Sequence, residues 1–346
     1  MSAAGPATAA NVSGSVGVGG SRRWLPAALL AAAVVFPLVA PNDYWTGVAT
    51  RVALYSTLAL GLNVVVGFAG LLDLGYVAFF GIGSYIYAFL ASPHFGLHWP
   101  TLVVLPIVLV VTAVAGILIG APTLRLRGDY LAIVTLGFGE ITYLLLINLD
   151  RPINITGGPS GIVTIDPPRF FGWTATNNTQ YYYLFLAAAA VALFVSARLR
   201  NSRIGWSWQA IREDELAARV MGINTTVAKL QAFAIGAALA GLAGALLACW
   251  QRSVFPDNFL FTESINVLAM VIIGGSGSLA GVLLGAALIV TLPEIFRDFL
   301  LYRMLVFGLA LMVLMVFRPE GLLVRRRAAV RSAPDPAPQL EAPPAA

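Results

Sequence analysis

The stretch ESINVLAMVIIGGSGSLAGVLLGAALIVTL, residues 263–292, decides how the chain is organised. It is almost wholly apolar and longer than the roughly 20 residues that one helical membrane crossing needs. Its middle is GGSGS, residues 274–278. Glycines and serines at that point divide the run into two short helices joined within the membrane region, a place where non-helical backbone is tolerated only if protein buries it or it lines a cavity.

Further apolar runs lie at 24–40, 52–70, 75–91, 101–121, 130–149, 181–197, 226–250 and 304–317. With 263–292 counted twice, the expectation is an all-α, polytopic bundle of about ten spans. An even count puts both termini on one side. That side then carries fifteen basic residues, from Arg22 and Arg23 through the 198–229 segment to Arg325–Arg327 and Arg331. The other side carries six: Arg51, Arg151, Arg169, Arg252, Arg297 and Arg303. The excess of positive charge marks the first side as cytoplasmic and the polar loop at 150–180 as external. A single crossing at 263–292 would send Arg325–Arg327 outside.

Composition agrees. The chain is 59% hydrophobic and 11% charged, against about a quarter charged in a soluble domain. A soluble core of this length has no room for so much apolar surface. The arginines, which on a soluble protein would suggest nucleic acid, alternate with apolar runs and set orientation instead; no nucleic-acid partner is expected. Residues 1–21 and 324–346 read as cytoplasmic tails, the first disordered, the second basic and then rich in Pro and Ala. The membrane domain between them covers 22–323. The run at 24–40 has the look of a signal peptide ending at Ala40, but the many later spans favour an uncleaved first helix.

Enzyme chemistry has little support. Cys249 is the only cysteine, and His94 and His98 share one loop, so no metal site is expected. No Gly-x-x-x-x-Gly-Lys-Ser/Thr occurs, so ATP, if used, is hydrolysed by another subunit. No cofactor is expected.

The informative polar stretch is RIGWSWQAIREDELAARVMGIN, residues 203–224. A helix over 208–222 is predicted, with Ile211, Leu216, Val220 and Ile223 as an apolar stripe. Arg212, Glu213, Asp214, Glu215 and Arg219 occupy much of the rest. Such a helix either docks in another subunit's groove or lies at lipid headgroups; its acidic cluster disfavours anionic lipid. Small residues recur at Gly236, Ala240 and Gly244 and at Gly281 and Gly285, spacing that lets helices approach closely. Within the spans, Asp73 sits at a break and Glu140 near the middle of 130–149. A carboxylate at that depth is a pathway residue or a helix-packing group bonded to its neighbours. A short self-similarity links LNVVVGFAGLLDLG at 62–75 to INVLAMVIIGGSGS at 265–278. Each runs from an Asn-Val pair into a glycine-containing break.

The stretch LNVVVGFAGLLDLGYVAFFGIGSYIYAFL (62–90) resembles the LivM-type permeases of branched-chain amino acid ABC transporters. So do RLRGDYLAIVTLGFGEI (125–141), NITGGPSGI (154–162), AIREDELAARVMGI (210–223), ESINVLAMVIIGGSGSLAGVLLGA (263–286) and FRPEGLL (317–323). The resemblance covers about 50–323 in order. It implies a type II ABC-importer-like permease in a bacterial cytoplasmic membrane. A second homologous permease subunit, two ATPase subunits and an external amino-acid-binding protein are its implied partners. It also implies that about 205–222 is the coupling segment, with Arg212, Glu213, Asp214, Glu215, Ala217, Ala218 and Gly222 at the ATPase contact. The general importer pattern there is Glu-Ala-Ala and then Gly. Ala217, Ala218 and Gly222 keep the spacing, Leu216 stands at the glutamate position, and Glu215 is one residue early. The expected substrate pathway runs between the two permeases at the glycine-rich breaks: Asp73, Gly75, Phe79, Phe80, Gly81, Gly83, Gly274, Gly275 and Ser276, with Glu140 as a polar participant. Leu, Ile and Val are the expected cargo. Urea or short amides, carried by related permeases, are the alternative; an uncoupled channel or ion-driven transporter is the reading from another class.

Overall fold

A computed structural model describes residues 33–37, 42–93, 95–123, 126, 128–151, 154–170, 173–297, 305, 308, 309, 312 and 321–323. The expectations for the tails, for most of the first and last apolar runs and for Arg325–Arg327 fall outside these residues. Residues 33–37 are helical and belong to a unit ending at Ala40, separate from the body that begins at Pro41.

The body is built from helices α1 (Asp43–Leu62), α2 (Val77–Leu90), α3 (Thr101–Thr123), α4 (Asp129–Asn148), α5 (Asn178–Arg200), α6 (Arg203–Glu213), α7 (Glu215–Val220), α8 (Thr225–Gln251), α9 (Phe261–Gly274) and α10 (Leu279–Ile295). α1 continues without interruption into a π-helical turn, Asn63–Phe68. Among the described residues, six helices are long and apolar enough to cross a membrane, and α2 and α10 are shorter apolar helices. The polar loop after α4 is not purely irregular. Two-residue strands β1 (Ile162–Val163) and β4 (Ser253–Val254) pair antiparallel, as do β2 (Arg169–Phe170) and β3 (Trp173–Thr174). These pairings satisfy backbone groups that neither helix nor lipid would.

α8 is the hub, and its sequence explains why. Glycine and alanine run along several of its faces, so three neighbours approach to backbone distance. Gly116 abuts Ala237, Gly120 abuts Phe233, and Thr112 abuts Gly241, so α3 runs antiparallel to α8. On another face the Tyr76 hydroxyl donates to the Gly236 carbonyl at 2.9 Å, and Ser84 Oγ donates to that of Gly244 at 2.9 Å. That constant offset makes α2 parallel to α8. α1 runs antiparallel to α8, with Val65 against Gly236 at one end and the Arg51 guanidinium 5.9 Å from the Trp250 ring at the other. Only a minority of the residues in the spans α3, α4 and α5 are buried, whereas α1 and α8 are mostly buried. This is the expected layering of a bundle whose solvent is lipid.

The 263–292 run breaks where the sequence reading places it. α9 ends at Gly274, and Gly275 and Gly277 take φ of 104° and 87°, values that side chains with a Cβ rarely adopt. Ser278 restarts the helix by accepting from the Gly281 N–H at 3.2 Å. Gly274 lies against Gly281, and Gly285 against Met270, so α9 and α10 form an antiparallel hairpin. At the far end of α10, Glu294 accepts from Tyr44 and pairs with Arg51 at 3.1 Å. By residues 321–323 the chain is back at the hairpin corner, where the Leu322 N–H donates to the Ile273 carbonyl at 2.8 Å.

Candidate functional site

The bundle has two ends. One carries Arg51, Trp250, Glu294 and the β1–β4 clasp; the other carries α6, α7, the π-turn of α1 and the α9–α10 corner. Of the residues that sequence reading assigned to coupling and to the breaks, Arg212 and the corner residues Gly274, Gly275 and Ser276 come together at this second end.

α6 is fixed to the body before it reaches that meeting point. Ser202 caps it by accepting from Gly205 N–H at 3.2 Å. Trp208 is fully buried, and its indole N–H donates to the Ala228 carbonyl of α8 at 2.7 Å. Four residues on, the exposed side chain of Arg212 reaches across to both breaks. Its guanidinium donates to the Gly67 carbonyl at the end of the π-turn and to Ser276 Oγ in the hairpin corner, the latter at 3.2 Å. The same two breaks are joined directly, because Asn63 Oδ1 accepts from Gly277 N–H at 2.8 Å. The self-similar segments 62–75 and 265–278 thus bring their breaks together.

The single helix predicted over 208–222 is corrected to two helices. Asp214 is extended, at φ −154° and ψ 110°, and its carboxylate accepts from the Leu216 and Ala217 N–H groups at 2.8 and 3.0 Å. An aspartate at this position ends one helix and caps the next more favourably than it continues either. The break also splits the predicted apolar stripe: Ile211 is buried, while Leu216 and Val220 are exposed, together with Met221. Glu215 does not share the exposed position of Arg212, Glu213 and Asp214. Glu215 pairs with Lys229, whose side chain is only 6% exposed, at 2.8 Å and with Arg219 at 3.3 Å. Gly222, at φ +86°, closes α7: its N–H bonds the Arg219 carbonyl, and the Ile223 N–H bonds that of Ala218. This is the left-handed glycine ending that a helix C-terminus favours. Ala218 is buried against the body. The surface α7 offers is therefore chiefly apolar, made by Leu216, Val220 and Met221, with Ala217 exposed beside them.

The remaining pathway candidates divide into two groups. Phe79, Phe80, Gly81 and Gly83 are in the packed interior. A Cβ at Gly83 would enter the Gly241 backbone of α8, while one at Gly81 would meet only the Phe259 and Leu146 side chains, at 3.1 and 3.4 Å. Phe80 stacks edge-on against Phe259 at 5.3 Å. The break at 69–76 holds Asp73, which is buried; its Oδ1 accepts from Gly75 N–H at 3.0 Å. Its Oδ2 has no hydrogen-bond partner among the described residues. Asp73, Gly75 and Phe79 line a narrow cleft with Ile119, Thr135 and Phe233. Gly75 packs on Thr135 and Gly139 of α4, one residue before Glu140. Glu140 itself is on the exposed outer side of α4 with Ile133, Ile141 and Leu144. Among the described residues no group of His, Cys, Asp and Glu is arranged to hold a metal ion. The reach of Arg212 to the breaks and the Glu215–Lys229 pair were not legible beforehand, since each depends on what another segment of the chain presents. The Asp214 cap is local, made with the N–H groups two and three residues on, and sequence reading missed it by running one helical period through 208–222.

Residues 44–316 match the family described as branched-chain amino acid transport system / permease component. The chain is 44% identical over 323 residues to the high-affinity branched-chain amino acid transport system permease protein LivM of Salmonella typhimurium, covering 87% of this chain and 74% of that protein. The LivM of Escherichia coli K12 matches to the same extent. The LivH permease of Escherichia coli K12 is 27% identical over 298 residues, 78% of this chain and 91% of that one. No solved structure matches. With the match running from α1 past the hairpin, the chain belongs to the family of branched-chain amino acid transport system permease components.

Proposed function

We propose that this chain is the membrane-spanning permease subunit of an ATP-driven importer that carries leucine, isoleucine and valine across a bacterial cytoplasmic membrane. The observation that carries this reading is the 44% identity to LivM permeases over most of both chains. The chain acts with a second homologous permease, two ATPase subunits that hydrolyse the ATP, and an external amino-acid-binding protein. It crosses the bilayer about ten times with both termini cytoplasmic. Supporting this, the 201–224 segment and residues 321–323 lie at one end of the bundle and the loop after α4 at the other.

α7 is the ATPase-facing element, and its contact is apolar: Leu216, Val220 and Met221 enter a groove of the ATPase, as amphipathic helices do. The substrate passes along the α4 side, between this chain and the second permease. Glu140 supports that placement, because a carboxylate facing outward in mid-span is costly against lipid and tolerable against a partner or water. Asp73 and Gly75 lie behind α4 in the adjoining break, with Gly274, Gly275 and Ser276 at its α6 end. Phe79, Phe80, Gly81 and Gly83 hold α2 as the wall behind the passage.

The test is reconstitution in vesicles with the four partner subunits. ATP-dependent accumulation of labelled leucine, competed by isoleucine and valine, is expected. Accumulation of urea or acetamide in place of leucine, or leucine flux without ATPase subunits, overturns the reading.

A further inference from the structure

We infer that Arg212 is a positioning residue: it transmits the position of the α6–α7 segment to both helix breaks at once, and so links ATP hydrolysis to the shape of the permease. The inference rests on the functional reading above and adds a mechanism that the reading does not contain.

Three elements converge on one side chain. The Arg212 guanidinium donates to Gly67 O and to Ser276 Oγ. Its stem lies over Gly70, where a Cβ would stand 2.7 Å from Arg212 Cγ, and Nη1 lies beside Gly277. Gly67 closes a helical segment, where carbonyls lack intrahelical partners and a cation is favoured. Ser276 belongs to the corner whose turn is set by two positive-φ glycines. The breaks are themselves tied by Asn63 and Gly277, so a pull on one is felt by the other.

On the other side, Arg212 sits between an anchor and a handle. Trp208 holds α6 to α8, and the extended residue Asp214 joins α6 to the exposed apolar face of α7. A partner that moves α7 therefore changes the angle at which the guanidinium meets its two acceptors. Arginine suits this role because its planar fork reaches two acceptors in fixed geometry, which an ammonium does not.

The measurement is leucine transported per ATP hydrolysed by the reconstituted complex. In Arg212→Met, ATP hydrolysis should continue while the ratio falls about fivefold or more, the scale of a typical coupling between sites. Arg212→Lys should fall between Met and wild type, and Ser276→Ala should show a smaller loss in the same direction. A wild-type ratio in Arg212→Met overturns the proposal, as does a proportional fall of transport and hydrolysis, which is what a merely structural role gives. If Arg212→Met does not assemble, wild-type ratios in both Arg212→Lys and Ser276→Ala overturn it. A second readout does not need transport: in the isolated full chain, amide exchange at residues 276–278 should rise in Arg212→Lys while that of α8 stays unchanged. Unaltered exchange there also overturns the link. Failure of the wild-type complex to move leucine refutes the functional reading instead, and the exchange result still decides the role of Arg212.

Discussion

The carboxamide oxygen of Asn63 accepts a hydrogen bond from the backbone N–H of Gly277, 2.8 Å away and 214 residues later in the chain. Asn63 is fully buried at the start of the π-turn, and Gly277 lies in the hairpin corner. One side chain thus joins the two places where the membrane helices lose regular geometry. Insertions of this kind into α-helices are frequent at functional positions.

Asn63→Ala leaves the Gly277 N–H without its partner. A loss of about 1 kcal/mol is expected, the low end of the cost of an unpaired donor, because Gly277 is only half-buried. Hydrogen exchange should show it locally, as faster exchange at residues 276–278 with the α8 core unchanged. Uniformly faster exchange, or none, would mean that the bond does not hold the corner.

Glu215→Lys places a second cation beside the buried Lys229. The cost is expected near the lower end of the roughly 3–5 kcal/mol incurred when a buried pair is broken, since Glu215 keeps partial access to water. Thermal unfolding in detergent measures it. The double change Glu215→Leu with Lys229→Met should recover most of the loss, because apolar groups of similar volume replace such a pair at little cost.

Leu216→Asp and Val220→Asp alter exposed side chains of α7, so the fold should be kept within about 0.5 kcal/mol. Co-purification of the ATPase subunits should fall at least tenfold, because a desolvated carboxylate at an apolar contact opposes docking. ATPase retention at the wild-type level by both variants would remove α7 from the contact.

Gly83 and Gly81 separate packing from passage. Gly83→Ala forces a methyl into the Gly241 backbone, and overpacking of about 1–3 kcal/mol or more should reduce folded yield. Gly81→Ala meets side chains only, the nearest the Phe259 ring at 3.1 Å, which must give by a few tenths of an ångström, so its yield should fall less. Equal yields of the two variants would contradict the close approach of α2 to α8.

Cysteines placed at Asn177 and Met221, at opposite ends of the bundle, should react with an impermeant maleimide from opposite sides of the membrane. The native Cys249 is buried and should stay silent. Labelling of both positions from one side would overturn the orientation derived from the charge distribution.

The sequence by itself determined the apolar segments, the turn at 274–278 and the likeness of the two broken stretches. Apolar length and turn chemistry are local: a glycine corner followed by a serine cap reads the same in any surroundings. The small residues of α8 likewise announced close packing. The tertiary structure decided which charges serve which purpose, the local cap at Asp214 apart. Arg212, Glu213, Asp214 and Glu215 are consecutive and look like one polar face, yet Arg212 reaches the breaks, Asp214 ends one helix and caps another, and Glu215 neutralises a lysine from α8. The stripe through Ile211, Leu216 and Val220 failed because a helical period was counted across Asp214, where the backbone is extended. Likewise, nothing local distinguishes Gly83, set against the backbone of α8, from Gly81, set against side chains. The partner of Arg212 or Glu215 is chosen by which segment the packing brings alongside it, from the next helix in the case of Lys229 to a turn 145 positions away in the case of Gly67, and no local pattern carries that.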